Sequence, residues 1–248
     1  MSLHIGTMGW SYNHWVGNFY PSNIKAQDFL FEYSKHFNSV EINRTFYRTP
    51  SASTVKQWKR QTPSNFIFSA KLPKSITHIA MLQKCDDKLS FFLNNISILN
   101  DKLGPLLIQL PPQFKPDRFK VLRDFLAHLP TTNRFALEVR NKDLQNERLY
   151  SLLRDRNVAV TMVDRSSLRK ASEATGDFIY IRWEGERSKI KGNSGEAEID
   201  RCSDLRSWTK LIQGALDNST DVFGYFSKFY SGYPPGDAEQ LLVSLSNL

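Results

Sequence analysis

The chain has 248 residues, of which 40% are hydrophobic, and 33 Lys+Arg against 25 Asp+Glu give a formal net charge of +8. That length suits one β/α barrel or two small domains. No apolar run approaches the roughly 20 residues that cross a bilayer, so a helical membrane protein is excluded.

Short apolar strands alternate with amphipathic helices along the chain, which is the pattern of a parallel sheet with helical crossovers. A first strand is expected at Leu3–Gly9, so close to the start that a secretory leader has no room. A loop dense in aromatics and glycines follows, with Trp10, Tyr12 and Trp15, and then a helical stripe of Phe29, Leu30 and Tyr33. Strands are expected at Ser39–Asn43 and Phe66–Lys71, the latter followed by a stripe of Leu82, Leu89, Phe92, Leu93, Ile96 and Leu99. Strands Pro105–Leu110 and Arg134–Arg140 precede stripes built on Phe119, Leu122, Phe125 and Leu126, and on Leu149, Leu152 and Leu153. Strands Val158–Asp164, Phe178–Trp183 and Val222–Ser227 complete the set. Helices around Leu205–Leu216 and Ala238–Leu245 flank the last strand. Eight strands at about 31 residues per unit predict a single (β/α)8 TIM-type barrel domain over 1–248. The sixth crossover, between Asp164 and Asp177, is short enough to lack a full helix. An open doubly wound sheet is the alternative, but no Gly-rich turn after the first strand fits a dinucleotide.

Strand parity then sorts the polar residues, because successive side chains point to opposite faces. Apolar Val40 and Ile42 face the helices and send Glu41 and Asn43 into the lumen. The same rule sends Ser69, Lys71, Gln109, Glu138, Arg140, Tyr180 and Arg182 inward, and Asp164 ends the sixth strand. These polar positions fall at the carboxyl ends of their strands, where barrel enzymes build their sites. Glu41, Glu138 and Asp164 are therefore set against Lys71, Arg140 and Arg182. Buried charges of this kind must pair with one another, as a lattice that only braces the barrel, or with a ligand.

Other segments add weaker signals. Trp10, Tyr12, Trp15, Phe46 and Tyr47 either offer flat faces to a ligand or form a packed plug over the mouth. His78, after the third strand, is the histidine best placed for acid–base work. Gly232-Tyr-Pro-Pro-Gly236 opens the last helix, a place where backbone amides can take phosphate. No organic-cofactor motif is present, and no Walker, HExxH or GxSxG pattern occurs. Carboxylates Glu41, Glu138 and Asp164 suit a hard divalent cation, but three positive neighbours oppose it, and no metal ligand is assigned. Cys85 and Cys202 are far apart with no ligand spacing, which predicts reduced thiols and a cytoplasmic protein.

Several of these segments belong to one longer, ordered pattern of motifs. They are Gly6-Thr7…Gly9-Trp10-Ser11-Tyr12 with Trp15, Gly17 and Phe19-Tyr20-Pro21, then Phe37-Asn38-Ser39-Val40-Glu41-Ile42-Asn43…Thr45-Phe46-Tyr47. Lys71-Leu-Pro73…Ile76-Thr77-His78, Leu103-Gly104-Pro105…Gln109-Leu110-Pro111-Pro112, Glu138-Val-Arg140, Asp164 and Tyr180-Ile-Arg182 continue it. Together these motifs resemble the YecE-like family, the domain-of-unknown-function family number seventy-two. The resemblance runs nearly the whole chain in order and implies a β/α barrel, without implying a reaction. The family tends to carry Arg-x-His-Gly near strand seven, where this chain has Arg182-Trp183-Glu184-Gly185. It favours paired asparagines after the last aromatic strand, where this chain has Ser227-Lys228. Both departures lie near the expected mouth and imply an altered substrate preference or a lost activity.

The expectation that follows is an enzyme of hydrolase, lyase or isomerase type acting on a phosphate- or carboxylate-bearing small molecule. Glu41, Glu138, His78 and Asp164 would carry acid–base chemistry. Trp10, Tyr12, Trp15, Asn43, Tyr47, Lys71, Gln109, Arg140, Tyr180 and Arg182 would hold substrate. A nucleic-acid-binding protein, suggested by the +8 charge and the aromatic rim, and a non-catalytic scaffold are the alternatives.

Overall fold

A computed structural model describes residues 1–166 and 173–247. Eight parallel strands form the sheet: β1 (Leu3–Thr7), β2 (Ser39–Ile42), β3 (Ile67–Lys71), β4 (Leu103–Gln109), β5 (Phe135–Glu138), β6 (Val158–Asp164), β7 (Phe178–Trp183) and β8 (Asp221–Phe226). Their order is β1-β8-β7-β6-β5-β4-β3-β2, the cyclic order of a (β/α)8 barrel. The seam between β1 and β2 is joined by one parallel bridge, Met8 to Glu41. Gly6 makes this closure possible, since a Cβ there would lie 2.0 Å from the Ser39 carbonyl oxygen. The Tyr33 hydroxyl braces the same seam: it accepts from the Thr7 amide at 2.9 Å and donates to the Ser39 carbonyl at 3.0 Å.

Helices α1 (Phe29–His36), α2 (Ala52–Gln61), α3 (Asp86–Ile96), α4 (Phe119–Ala127), α5 (Glu147–Asp155), α6 (Cys202–Asp217) and α7 (Pro234–Ser246) surround the strands. Most bury the stripes expected of them, such as Leu149, Leu152 and Leu153 in α5. Helix α2 was not foreseen, because only Val55 and Trp58 of its ten residues are buried, too few to make a stripe. A cap starts it instead: Ser51 Oγ accepts from the Thr54 amide at 3.2 Å. Leu82 and Leu99, expected on the helical stripe after the third strand, lie outside α3, and Leu82 sits in a turn at φ 66°. The crossover expected to be short runs from 165 to 177, and its residues 167–172 lie outside the described ones.

Most of the hydrophobic core lies between the strands and the helices, from Ile5 and Val40 round to Ile181 and Val222. A smaller apolar cluster fills the lower lumen with Leu107, Ala136, Ala159, Phe178, Tyr180, Phe223 and Tyr225. Above it the lumen turns polar: Ser39 and Ser69 each bond the Tyr225 hydroxyl, at 2.7 and 2.8 Å. The apolar floor closes one end, so the charged residues at the carboxyl ends of the strands face a single mouth. No helix of the described residues is long and apolar enough to cross a membrane.

Candidate functional site

The mouth is organised around Arg182, which β7 points into the lumen between outward Ile181 and Trp183. Each of its five N–H groups meets an acceptor. Nε and Nη2 clamp the Glu41 carboxylate at 3.0 Å each, and Nη2 also reaches the Met8 sulfur at 3.3 Å. Nη1 bonds both Glu138 and Glu184. A guanidinium is a rigid fork of five donors, and here the whole fork is used inside the protein.

The three carboxylates are held from other sides as well. Glu41 accepts from the Tyr180 hydroxyl and the Asn43 amide, both at 2.8 Å. Glu138 accepts from Gln109 at 2.8 Å and pairs with Arg140 Nε, which lies against it without the alignment of a hydrogen bond. Glu184 also pairs with Arg140 Nη2 at 3.0 Å. Burial raises the Glu138 carboxyl, but Arg182 and Arg140 outweigh it and hold the group below the usual carboxylate range. The same opposition leaves Glu184 at about 2. Both are therefore anions at neutral pH, with no proton to donate.

Lys71 is treated differently. It is only 7% exposed, yet its Nζ makes one hydrogen bond, 2.7 Å to Gln109 Oε1, and no ion pair among the described residues. Gln109 stands between the amine and Glu138, accepting from one and donating to the other. The Phe46 ring lies 4.0 Å from Nζ. Burial, reinforced by Arg182 and only partly offset by Glu138, Glu41 and Glu184, pulls the Lys71 ammonium down to about 8. His78 packs edge-on against the same Phe46 ring at 4.9 Å, and its Nδ1 lies 2.9 Å from the Thr77 hydroxyl. Burial, then Lys71 and Arg140, lower its pKa. Its backbone is a π-helical turn, Ser75–Ile79, followed by left-handed Met81, Leu82 and Lys84. Such irregular backbone needs support from its surroundings.

The structure thus brings together Glu41, Asn43, Lys71, Gln109, Glu138, Arg140, Tyr180 and Arg182, with His78 at the rim. It separates the others. Asp164 was expected among the lumen charges, but parity puts it opposite Trp183 on the helix side, where it accepts from Trp208 Nε1 of α6 at 2.7 Å. Trp15 is fully buried against Tyr12, Phe19 and Tyr20, so it plugs the loop and has no open face. Trp10 packs edge-on to Trp58 and Phe68 in the outer layer. Tyr12 lies closer to the mouth: its hydroxyl bonds the Met8 carbonyl at 2.7 Å, and burial followed by Glu41 raises it to about 12. Tyr47 is 71% exposed at the rim.

Glu184 and Met8 are site residues to which sequence reasoning gave no role, although Glu184 falls in a departure from the family pattern placed near the mouth. Glu184 lies two residues beyond Arg182, so continuing the parity past the strand would have pointed it inward. Met8, two beyond Gly6, carries the same signal. The start of α7 is also poorly suited to phosphate. Pro234 and Pro235 lack the first two amides, and a buried carboxyl at Asp237, raised to about 7 by burial, stands there. Two clefts of about 500 and 490 Å³ lie elsewhere, one around Arg201, Cys202 and Asp237, the other at the opposite barrel end around His4 and Arg134. Neither gathers matched charges as the mouth does. Among the described residues no group of three His, Cys, Asp or Glu is placed to hold a metal ion.

With this geometry established, residues 4–247 match the sequence family described as "Protein of unknown function DUF72". The chain belongs to the DUF72 family. It is 34% identical to the UPF0759 protein YecE of Escherichia coli (strain K12) over 183 residues, 71% of this chain. The matched stretch spans 65% of that relative's length. It is 25% identical to the UPF0759 protein YunF of Bacillus subtilis (strain 168), over 98% of this chain and 94% of that one. A crystal structure of a DUF72 family protein from Thermotoga maritima MSB8 superposes with a TM-score of 0.84 at 24% identity, covering 99% of this chain and all of that one. A second, from Enterococcus faecalis V583, gives 0.75 at 18% identity over 99% and 96% of the two chains. At these identities the solved structures establish a shared DUF72 barrel fold alone.

Proposed function

We propose that this DUF72 barrel, working as one domain, is an enzyme that binds a small phosphate- or carboxylate-bearing molecule at its mouth and moves a proton on it. The observation that carries this is the unequal use of charge. All three carboxylates are engaged by arginines, whereas Arg140 Nη1 and two of the Lys71 N–H directions have no protein partner among the described residues. An anion seated there would receive charge-assisted hydrogen bonds from both. Glu41, Glu138 and Arg182 hold the field in place, as preorganised groups do in catalytic sites. Lys71, pulled down to about 8, is the group at the mouth that can give up a proton close to neutral pH, and the imidazole of His78, its pKa lowered by burial, Lys71 and Arg140, is placed to accept one. Two cysteines without a disulfide are in keeping with a cytoplasmic setting.

Calorimetric titration with inorganic phosphate, sulfate and malonate tests the proposal. Saturable binding at one site, weakened tenfold or more by Arg140→Ala, is the expected result. Absence of binding by any of the three, or undiminished binding to R140A, would refute it.

A second reading is favoured by the rim. Tyr47 is exposed among exposed Arg44, Arg48 and Lys74, with Lys74 Nζ 5.7 Å from its ring. An open aromatic ring among cations is the arrangement that stacks an unpaired base. Binding of a single-stranded oligonucleotide that falls steeply with salt, and is lost in Tyr47→Ala, would support it. Salt-independent or undetectable binding would remove it.

A further inference from the structure

Two lysines of the barrel are buried to the same degree, and they are built differently. Lys102 is 7% exposed, and its Nζ donates to the Lys59 carbonyl at 2.7 Å, the Thr62 carbonyl at 2.8 Å and the Thr62 hydroxyl at 3.0 Å. Three donors meet three acceptors, which is how an ammonium is kept inside a protein. Lys71, equally 7% exposed, has one amide oxygen and the face of Phe46. A structural brace at the end of β3 would be expected to take a carboxylate, and three stand in the same mouth. Arg182 and Arg140 occupy them instead, and the Gln109 amide is interposed. The Arg182 guanidinium itself opposes a further positive charge on Lys71. A buried amine beside another cation is the arrangement that makes a lysine give up its proton readily and become nucleophilic.

We propose that Lys71 is a covalent nucleophile, forming a Schiff base with a small carbonyl compound whose carboxylate or phosphate is held by Arg140. The proposal rests on the mouth being an anion site, and it narrows the ligand to an anion that also bears an aldehyde or ketone. The neutral Nζ adds to the carbonyl carbon, and as the nitrogen gives up one proton the oxygen takes one up, leaving a neutral carbinolamine. That hydroxyl then leaves as water with a second proton. Amine, carbonyl compound and one net proton give a protonated imine and water. His78, which packs against the same Phe46 ring, is the titratable side chain placed to relay those protons. Glu138 and Glu184 stay ionised and stabilise the iminium charge. Met8 and Phe46 supply an apolar wall that limits hydrolysis.

The test uses the full chain with pyruvate and cyanoborohydride, which reduces an imine to a stable secondary amine, followed by proteolysis and mass mapping. Lys74, exposed and three residues away, is the reference for unassisted reaction, and Lys102 is the reference for burial alone. Lys71 is expected to be modified at least about tenfold faster than Lys74 at pH 7, saturably in pyruvate, with Lys102 unmodified. In Lys71→Arg the fast adduct is lost while Lys74 still reacts. Modification of Lys71 no faster than Lys74 would overturn the proposal, and this comparison within the native chain stands whether or not the variant folds. Phosphate separates the two claims. If phosphate binds by calorimetry and Lys71 stays unmodified, the nucleophile is refuted and the anion site survives. If Lys71 reacts and phosphate neither binds nor slows it, the amine stands and the anion site fails.

Discussion

Replacing Lys71 by Met removes a buried charge while keeping an unbranched side chain of similar length. The ammonium falls from 10.5 to about 8 in the folded chain. At about 1.4 kcal/mol for each tenfold change in proton affinity, the charged form costs the fold about 3 kcal/mol. Exposure of 7% leaves little solvent to screen it. Against this, Met leaves Gln109 Oε1 without its 2.7 Å donor, worth about 1–2 kcal/mol, and removes the contact over Phe46, worth roughly another 0.5. The net expectation at pH 7 is that K71M is more stable by about 1 kcal/mol. The sign then reverses with pH. Between about 8 and 10.4 the unfolded lysine still binds a proton that the folded one has released, so wild-type stability rises with pH through that window. The Met variant has no such gain, and at pH 10 it should be the less stable protein by about 1–2 kcal/mol. Urea unfolding of both proteins at the two pH values measures this directly. A variant less stable by the same amount at pH 7 and pH 10 would show that the ammonium carries no penalty, and the account of Lys71 would be wrong.

The remaining predictions concern the charges around it. Arg182→Met leaves Glu41, Glu138 and Glu184 without their common partner and should cost about 3–5 kcal/mol at pH 7. Its pH dependence should also invert. In the wild type Glu138 and Glu184 lie below their unfolded values, so their stabilisation is complete above about pH 5 and is lost on acidification. In R182M burial dominates, the carboxyls rise, and stability should instead fall as pH increases from 4 to 7, as acid and neutral urea titrations will report. Glu184→Gln removes one negative charge from a mouth where three carboxylates balance three cations, and phosphate affinity should rise about three- to tenfold by calorimetry. Unchanged or weaker binding would place the anion elsewhere. Asp164→Ala should cost about 1–3 kcal/mol in urea unfolding through loss of the Trp208 bond, with phosphate binding unaltered. A loss of binding there would contradict its position on the helix side.

Much of the barrel is visible in local pattern, and the reason is geometric. Outward Val40 and Ile42 against inward Glu41 need only the two-residue period of a strand. The strand expected at Phe178–Trp183 matches β7 in both bounds. Helix α2 escaped notice because a cap and two buried residues, and no periodic stripe, hold it. Asp164 was misplaced because it ends its strand on a polar residue, and no apolar neighbour beyond it records the parity. Trp10 and Trp15 belong to a loop, where no period constrains direction at all.

The sequence alone therefore determined the closed parallel barrel and the inward direction of most of its charges, since both follow from short-range alternation. Only the tertiary structure decided which charges meet. Glu41, Glu138 and Glu184 lie on strands or loops far apart in the chain, and all converge on Arg182. Lys71 is left with an amide and a ring. Pairing depends on distances of a few ångströms across the lumen, which strand tilt and closure set and no sequence period records.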